Sequence, residues 1–151
     1  MYETDDGKSR FYIHIANNLL LTTTIYWHQS ITNGVIVDWG DGSNTITVSG
    51  TDNVSASHTY PAPGYYTITM ERASSGVVLY FGTNSEGTCS FMGPVGMANS
   101  PELCKLEKAE IGSLNNYSLG KGAFEDCFHL ETITIPNGYI TTLNNSTFRG
   151  T

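Results

Sequence analysis

The stretch from Val35 to Met70 constrains the fold most. Val35, Val37 and Trp39 alternate with Ile36 and Asp38, so they share one face of a strand whose side chains repeat every two residues. That strand runs into Gly40-Asp41-Gly42, a turn with flexible backbone and a carboxylate able to accept nearby N–H groups. It is answered by Tyr66, Ile68 and Met70, which alternate with Tyr65, Thr67 and Thr69 behind Pro61 and Pro63-Gly64. Two half-buried strands, each carrying an aromatic residue and each bounded by Gly or Pro, predict the core of a β-sandwich. Tyr60, just ahead of the second strand, is placed to send its hydroxyl back to the backbone and pin the corner.

The flanking segments agree. Phe11, Ile13 and Ile15 alternate, and Leu19, Leu21, Thr23, Ile25 and Trp27 share a parity, so strands are expected on both sides of an Asn17-Asn18 turn. Asn33-Gly34 predicts a tight turn, residues 45–48 a short strand and residues 49–53 a loop. After a boundary at Ser74-Ser75-Gly76, Val77 to Phe81 reads as a buried strand and residues 82–102 as irregular. Only 14% of the chain is charged, and Thr, Ser, Asn and Gly fill the usual places of Lys and Glu, which favours strands and turns.

The last third carries a repeat. Leu106-Glu107-Lys108-Ala109-Glu110-Ile111 matches Leu130-Glu131-Thr132-Ile133-Thr134-Ile135 at an offset of 24. The same offset takes Leu119 to Leu143, Phe124 to Phe148 and Leu103 to Cys127. A motif of this form predicts stacked coils in which Leu106, Ile111, Phe124, Cys127, Leu130, Ile133 and Ile135 point inward. Lys108, Glu110, Thr132 and Thr134 then project from the opposite strand face. Two coils bury little on their own, so the stack is expected to lean on the sandwich, to continue, or to self-associate through its open end.

Two resemblances follow from these residues. D-W-G-D-G-S at 38–43, H-T-Y at 58–60 and P-G-x-Y-x-I-x-M at 63–70 resemble the PKD domain, an immunoglobulin-like sandwich of extracellular and cell-surface proteins, over residues 11–73. G-A-F-E-D-C-F-H-L-E-T-I-T-I-P-N-G at 122–138 resembles the BspA-type leucine-rich repeat, over residues 103–151. The first repeat departs from that pattern, with Ile111-Gly112 in place of Ile-Pro and Leu103 in place of Cys. The expected fold is mainly β: a PKD-type sandwich over 1–76, a connecting segment or atypical capping repeat over 77–102, and two repeats over 103–151, the last one truncated. The BspA likeness implies adhesion to host proteins or to other microbes at a bacterial surface. A structural or receptor-binding part of a phage particle is the second expectation.

Composition narrows the partners. A net charge of −7 argues against a nucleic-acid backbone or an anionic membrane, both of which need a positive field. No apolar run approaches the roughly 20 residues that span a bilayer, and the acidic start is the opposite of a signal-peptide n-region. Export is therefore implied only by the family likeness. Cys89, Cys104 and Cys127 are odd in number with no C-x-x-C pair, which makes zinc improbable and leaves buried thiols as the default.

Catalysis has no motif here: His14, His28, His58 and His129 are scattered, with no H-E-x-x-H or G-x-S-x-G. No cofactor is expected. Asp38, Asp41 and Asp52 are oxygen ligands in type, but Asp41 reads better as a turn former. Asn53, Asn116 and Asn144 fit the glycosylation pattern at a rate that an Asn- and Ser-rich chain gives by chance. Tyr12, Tyr26, Tyr65 and Trp27 are candidates for an aromatic platform, with Tyr65 the best exposed. A protein or carbohydrate ligand is expected at Tyr65 and on the Lys108, Glu110, Thr132 and Thr134 face.

Overall fold

Alternation in the first eighty residues builds two β-sheets. The computed structural model describes residues 6–82, 105–112, 118–119, 122–135, 142–143 and 147–148. The larger sheet takes β1 (Ser9–Ile15), β3 (Val35–Asp38), β4 (Ile46–Thr47) and β6 (Gly64–Arg72) from the first half of the chain. The smaller sheet is β2 (Thr22–Gln29) between β5 (Asp52–Thr59) and β7 (Leu79–Phe81), antiparallel throughout. The fold is mainly β, with no helix among the described residues, and its two sheets share one core in the manner of a β-sandwich.

Phe11, Ile13, Ile15, Val35, Val37, Ile68 and Met70 from the larger sheet and Ile25, Trp27, Leu79 and Phe81 from the smaller one are all buried. Each such side chain contributes about 1.5–3 kcal/mol by leaving water. The Phe11 and Phe81 rings meet edge to face at 4.7 Å across the two sheets. The predicted corner forms: Tyr60, 1% exposed, donates its hydroxyl to the Trp39 carbonyl at 3.0 Å and stacks on Tyr66. Burial pushes the Tyr60 phenol far above its ordinary pKa.

Some local expectations need correction. The second strand starts at Thr22, not Leu19, because Asn17 builds a turn: its side chain accepts the Leu19 N–H at 2.9 Å and its carbonyl the Leu20 N–H at 3.2 Å. Leu19 is left exposed at the tip. Asp52 and Asn53 belong to β5 rather than to a loop, and β5 pairs with β2 along its whole length. The buried strand expected within residues 77–81 is β7, which pairs with β2.

The last third enters the larger sheet. β8 (Leu106–Glu110) pairs antiparallel with β1, and β10 (Thr132–Thr134) pairs parallel with β8, giving the order β10-β8-β1-β6-β3-β4. β9 (Ser118–Leu119) and β11 (Thr142–Leu143) form a separate parallel pair. Every one of these parallel contacts joins residues 24 apart: Lys108 with Thr132, Ala109 with Ile133, Glu110 with Thr134 and Leu119 with Leu143. The Phe124 and Phe148 rings stack at 5.6 Å in the same offset.

Burial along the repeat is graded. Leu106, Ala109, Ile111, Phe124 and Cys127 are buried, whereas Leu130, Ile133 and Ile135 are only partly so. The second set lies one strand further from β1 and has less protein over it. Leu103, Cys89, Cys104, Asn116 and Asn144 lie outside the described residues.

Candidate functional site

The outer face of the larger sheet collects most of the residues expected to bind. Core residues of β1 alternate with outward ones, Lys108 and Glu110 of β8 flank the buried Ala109, and the strand register sets the outward residues in rows. One row runs Thr134, Glu110, Arg10, Thr69 across four strands, and the next runs Thr132, Lys108, Tyr12, Thr67. A third brings His14 beside Tyr65. Lys108, Glu110, Thr132, Thr134 and Tyr65, which lie up to 69 positions apart, thus share one surface.

Side chains on this face hold one another. Lys108 Nζ sits 2.7 Å from Glu110 Oε1 and 4.7 Å from the centre of the Tyr12 ring, while the Tyr12 hydroxyl donates to Glu110 Oε2 at 3.0 Å. The hydrogen bond from Lys108, with a second from Tyr12, holds the Glu110 carboxyl below its ordinary pKa. Burial, then the Glu110 hydrogen bond, pushes the Tyr12 phenol up. Arg10 is hydrogen-bonded to Asp6. Charge on the face is therefore largely neutralised in place.

Glu107 was missed by sequence reasoning. The register shifts between Tyr12 and Ile13: Tyr12 faces Lys108 but Ile13 faces Leu106, which leaves Glu107 as the extra residue of a bulge. The bulge turns its carboxylate to His14, with Oε1 3.2 Å from Nδ1. His14 in turn stacks on Tyr65, 4.2 Å between centroids and 8° from parallel. Tyr65 is 73% exposed, so this backing leaves most of the side chain in solvent. The signal was the pair of residues, Glu107 and Lys108, between the apolar Leu106 and Ala109 of the repeat, where strict alternation has one.

A cleft of about 280 Å³ opens at the end of this row, lined by His14, Asn17, Leu20, Lys105, Glu107 and His129 among others. That volume is at the small end for ligand pockets. Lys105 is buried, with Nζ 2.5 Å from the Thr22 carbonyl and 3.2 Å from Thr23 Oγ1, tying the start of β8 to the smaller sheet.

The remaining candidates are placed elsewhere. Trp27 is a core residue, and Tyr26 lies on β2 of the other sheet, so the four aromatic candidates do not form one platform. Asp38 accepts the Gly40 N–H at 2.9 Å. Asp41 accepts from the Ser43 backbone and hydroxyl, and its Oδ2 lies 2.7 Å from His58 Nε2. The Ser43 hydroxyl first, then His58, pulls the Asp41 carboxyl down to about 2. His58 is itself stacked on Trp39 and edge-on to Tyr60, so both turn carboxylates and this histidine brace the corner. Among the described residues no group of three or more His, Cys, Asp and Glu side chains is placed to hold a metal ion.

Comparison with protein-family models, with curated proteins and with solved structures found no match to this chain.

Proposed function

We propose that this chain is a non-catalytic recognition module of a bacterial surface, and that the outer face of its larger sheet binds a protein or a glycan. In this reading the first half is a PKD-type, immunoglobulin-like sandwich and the last third is the start of a BspA-like leucine-rich solenoid laid against it. The observation that carries the proposal is the convergence of Lys108, Glu110, Thr132, Thr134 and Tyr65 on one face, together with Tyr12 and His14. Because Glu110 is engaged by Lys108 and Tyr12, and Glu107 by His14, recognition would rest on hydrogen bonds and aromatic contact rather than on an unpaired charge.

The test is binding of the purified chain to a glycan array and to a panel of immobilised extracellular-matrix and bacterial-surface proteins. Tyr65→Ala and Lys108→Ala change solvent-accessible side chains and leave the core intact. Each is expected to weaken a bound ligand by about tenfold or more, in the range of an interface anchor. Absence of binding to either panel, or affinity unchanged in both variants, would overturn the proposal.

A further inference from the structure

The cleft beside His14 has apolar shoulders. Among the described residues four large hydrophobic side chains stand exposed, Leu19, Ile31, Tyr65 and Phe128, and three of them adjoin this cleft. Leu19 directly precedes Leu20 and Phe128 directly precedes His129, both lining residues, while Tyr65 stacks on the ring of His14, a third. The lining itself is mostly polar, with His14, Asn17, Lys105, Glu107 and His129. Protein interfaces have the reverse plan, an apolar centre within a polar rim. A polar cleft with apolar shoulders suits a small ligand that turns hydrogen-bonding groups inward and C–H groups to the side.

The polar groups narrow the chemistry of that ligand. Lys105 and Glu107 carry opposite charges, so with neutral histidines the lining has no net charge to attract an ion. The Lys105 ammonium is turned to the Thr22 carbonyl and the Thr23 hydroxyl. Three side chains keep hydrogen-bonding capacity that no other described residue uses. Glu107 meets His14 through Oε1, which leaves Oε2 to accept. Asn17 accepts the Leu19 N–H through Oδ1, which leaves its NH2 to donate. His129 is exposed, with one ring nitrogen to donate and the other to accept when neutral. Donors and acceptors mixed in one cleft match hydroxyl groups, each of which donates one hydrogen bond and accepts two.

We infer that this cleft binds a neutral sugar ring, the terminal residue of a glycan, with hydroxyls on Glu107, Asn17 and His129 and C–H groups against the apolar shoulders. A volume of about 280 Å³ fits one such ring. Sugar C–H groups carry slight positive charge and settle on the electron-rich face of an aromatic ring. Tyr65, 73% exposed and backed by His14, offers such a face to the next sugar of the same glycan. The inference rests on the outer face being a recognition surface and narrows its ligand from a protein or glycan to a glycan.

Two-dimensional NMR of the isotopically labelled chain tests it, by titration with the methyl glycosides of glucose, galactose and mannose and with N-acetylglucosamine. Sialic acid and glucosamine serve as acidic and basic counterparts. At least one neutral sugar is expected to shift the amide signals of His14, Asn17, Glu107 and His129 saturably, and to bind better than either charged one. Glu107→Gln is expected to weaken that sugar about tenfold, the size of one hydrogen bond to a charged group, and His129→Ala to weaken it as well. Both positions are solvent-accessible, and a dispersed amide spectrum confirms that each variant is folded. No shift with any neutral sugar, preference for a charged one, or affinity unchanged in both variants would overturn the inference. Binding to immobilised proteins without binding to any sugar would overturn it too, while leaving the recognition surface in place. Absence of both kinds of binding would remove the two readings together.

Discussion

Trp27→Ala is expected to lower the free energy of unfolding by about 3–5 kcal/mol. Trp27 is fully buried in the central strand of the smaller sheet, and its loss leaves a cavity that strands hydrogen-bonded on both sides of β2 cannot readily collapse. A second cost falls on its polar partner. Trp27 Nε1 donates to Gln29 Oε1 at 3.0 Å, and Gln29 Nε2 donates to the Val48 and Gly50 carbonyls at 2.8 and 2.9 Å. Gln29 is itself fully buried, so removing the indole strands an amide oxygen away from water. Since a domain has only about 5–15 kcal/mol in total, urea denaturation followed by circular dichroism should show a much earlier midpoint. Trp27→Phe, which keeps most of the volume but not the N–H, should fall between wild type and Trp27→Ala.

Gly112→Ala is the second large effect, and it acts at the junction of the two halves. A Cβ at Gly112 would lie 2.4 Å from the Lys8 carbonyl oxygen and 2.5 Å from its carbon, both backbone atoms that a side-chain rotation cannot clear. The exit of β8 would have to move off the entry of β1, and the hydrogen bond from the Gly112 N–H to Ser9 Oγ, 2.9 Å and buried, would be lost with it. About 1–3 kcal/mol is expected from the overpacking alone. Thermal unfolding should show the fall in stability. The departure of Ile111-Gly112 from the Ile-Pro of the second repeat has a physical reason here, since this position passes against the first strand of the chain.

Local patterns were legible where one face of a strand is buried. The alternation of Phe11 to Ile15, of Val35 to Trp39 and of Tyr66 to Met70 reappears as burial, and the Tyr60 corner follows from its place before the strand. The 24-residue repeat was legible because matching residues of its two copies pair in parallel, as every parallel contact among the described residues joins positions 24 apart. β5 was not, since Asn53, Ser55 and Ser57 are outward residues with only Val54, Ala56 and His58 between them, and pairing with β2 is what orders the segment. Gln29 was not legible, since a glutamine reads as a surface residue until the carbonyls it satisfies are known. Least legible was the site. Pairing of β1 with β8 joins residues about a hundred positions apart and leaves no mark on the periodicity of either strand. That pairing is what brings Tyr12, His14 and Tyr65 beside Lys108, Glu110, Thr132 and Thr134.

The account therefore turns on whether the last third is stitched into the sheet of the first half through β1. Nuclear Overhauser spectroscopy on the isotopically labelled chain reads this directly. Cross-strand contacts of Phe11 with Ala109 and of Arg10 with Glu110 are predicted, alongside those of Ala109 with Ile133. A β8 that shows contacts to β10 and none to β1 would contradict it.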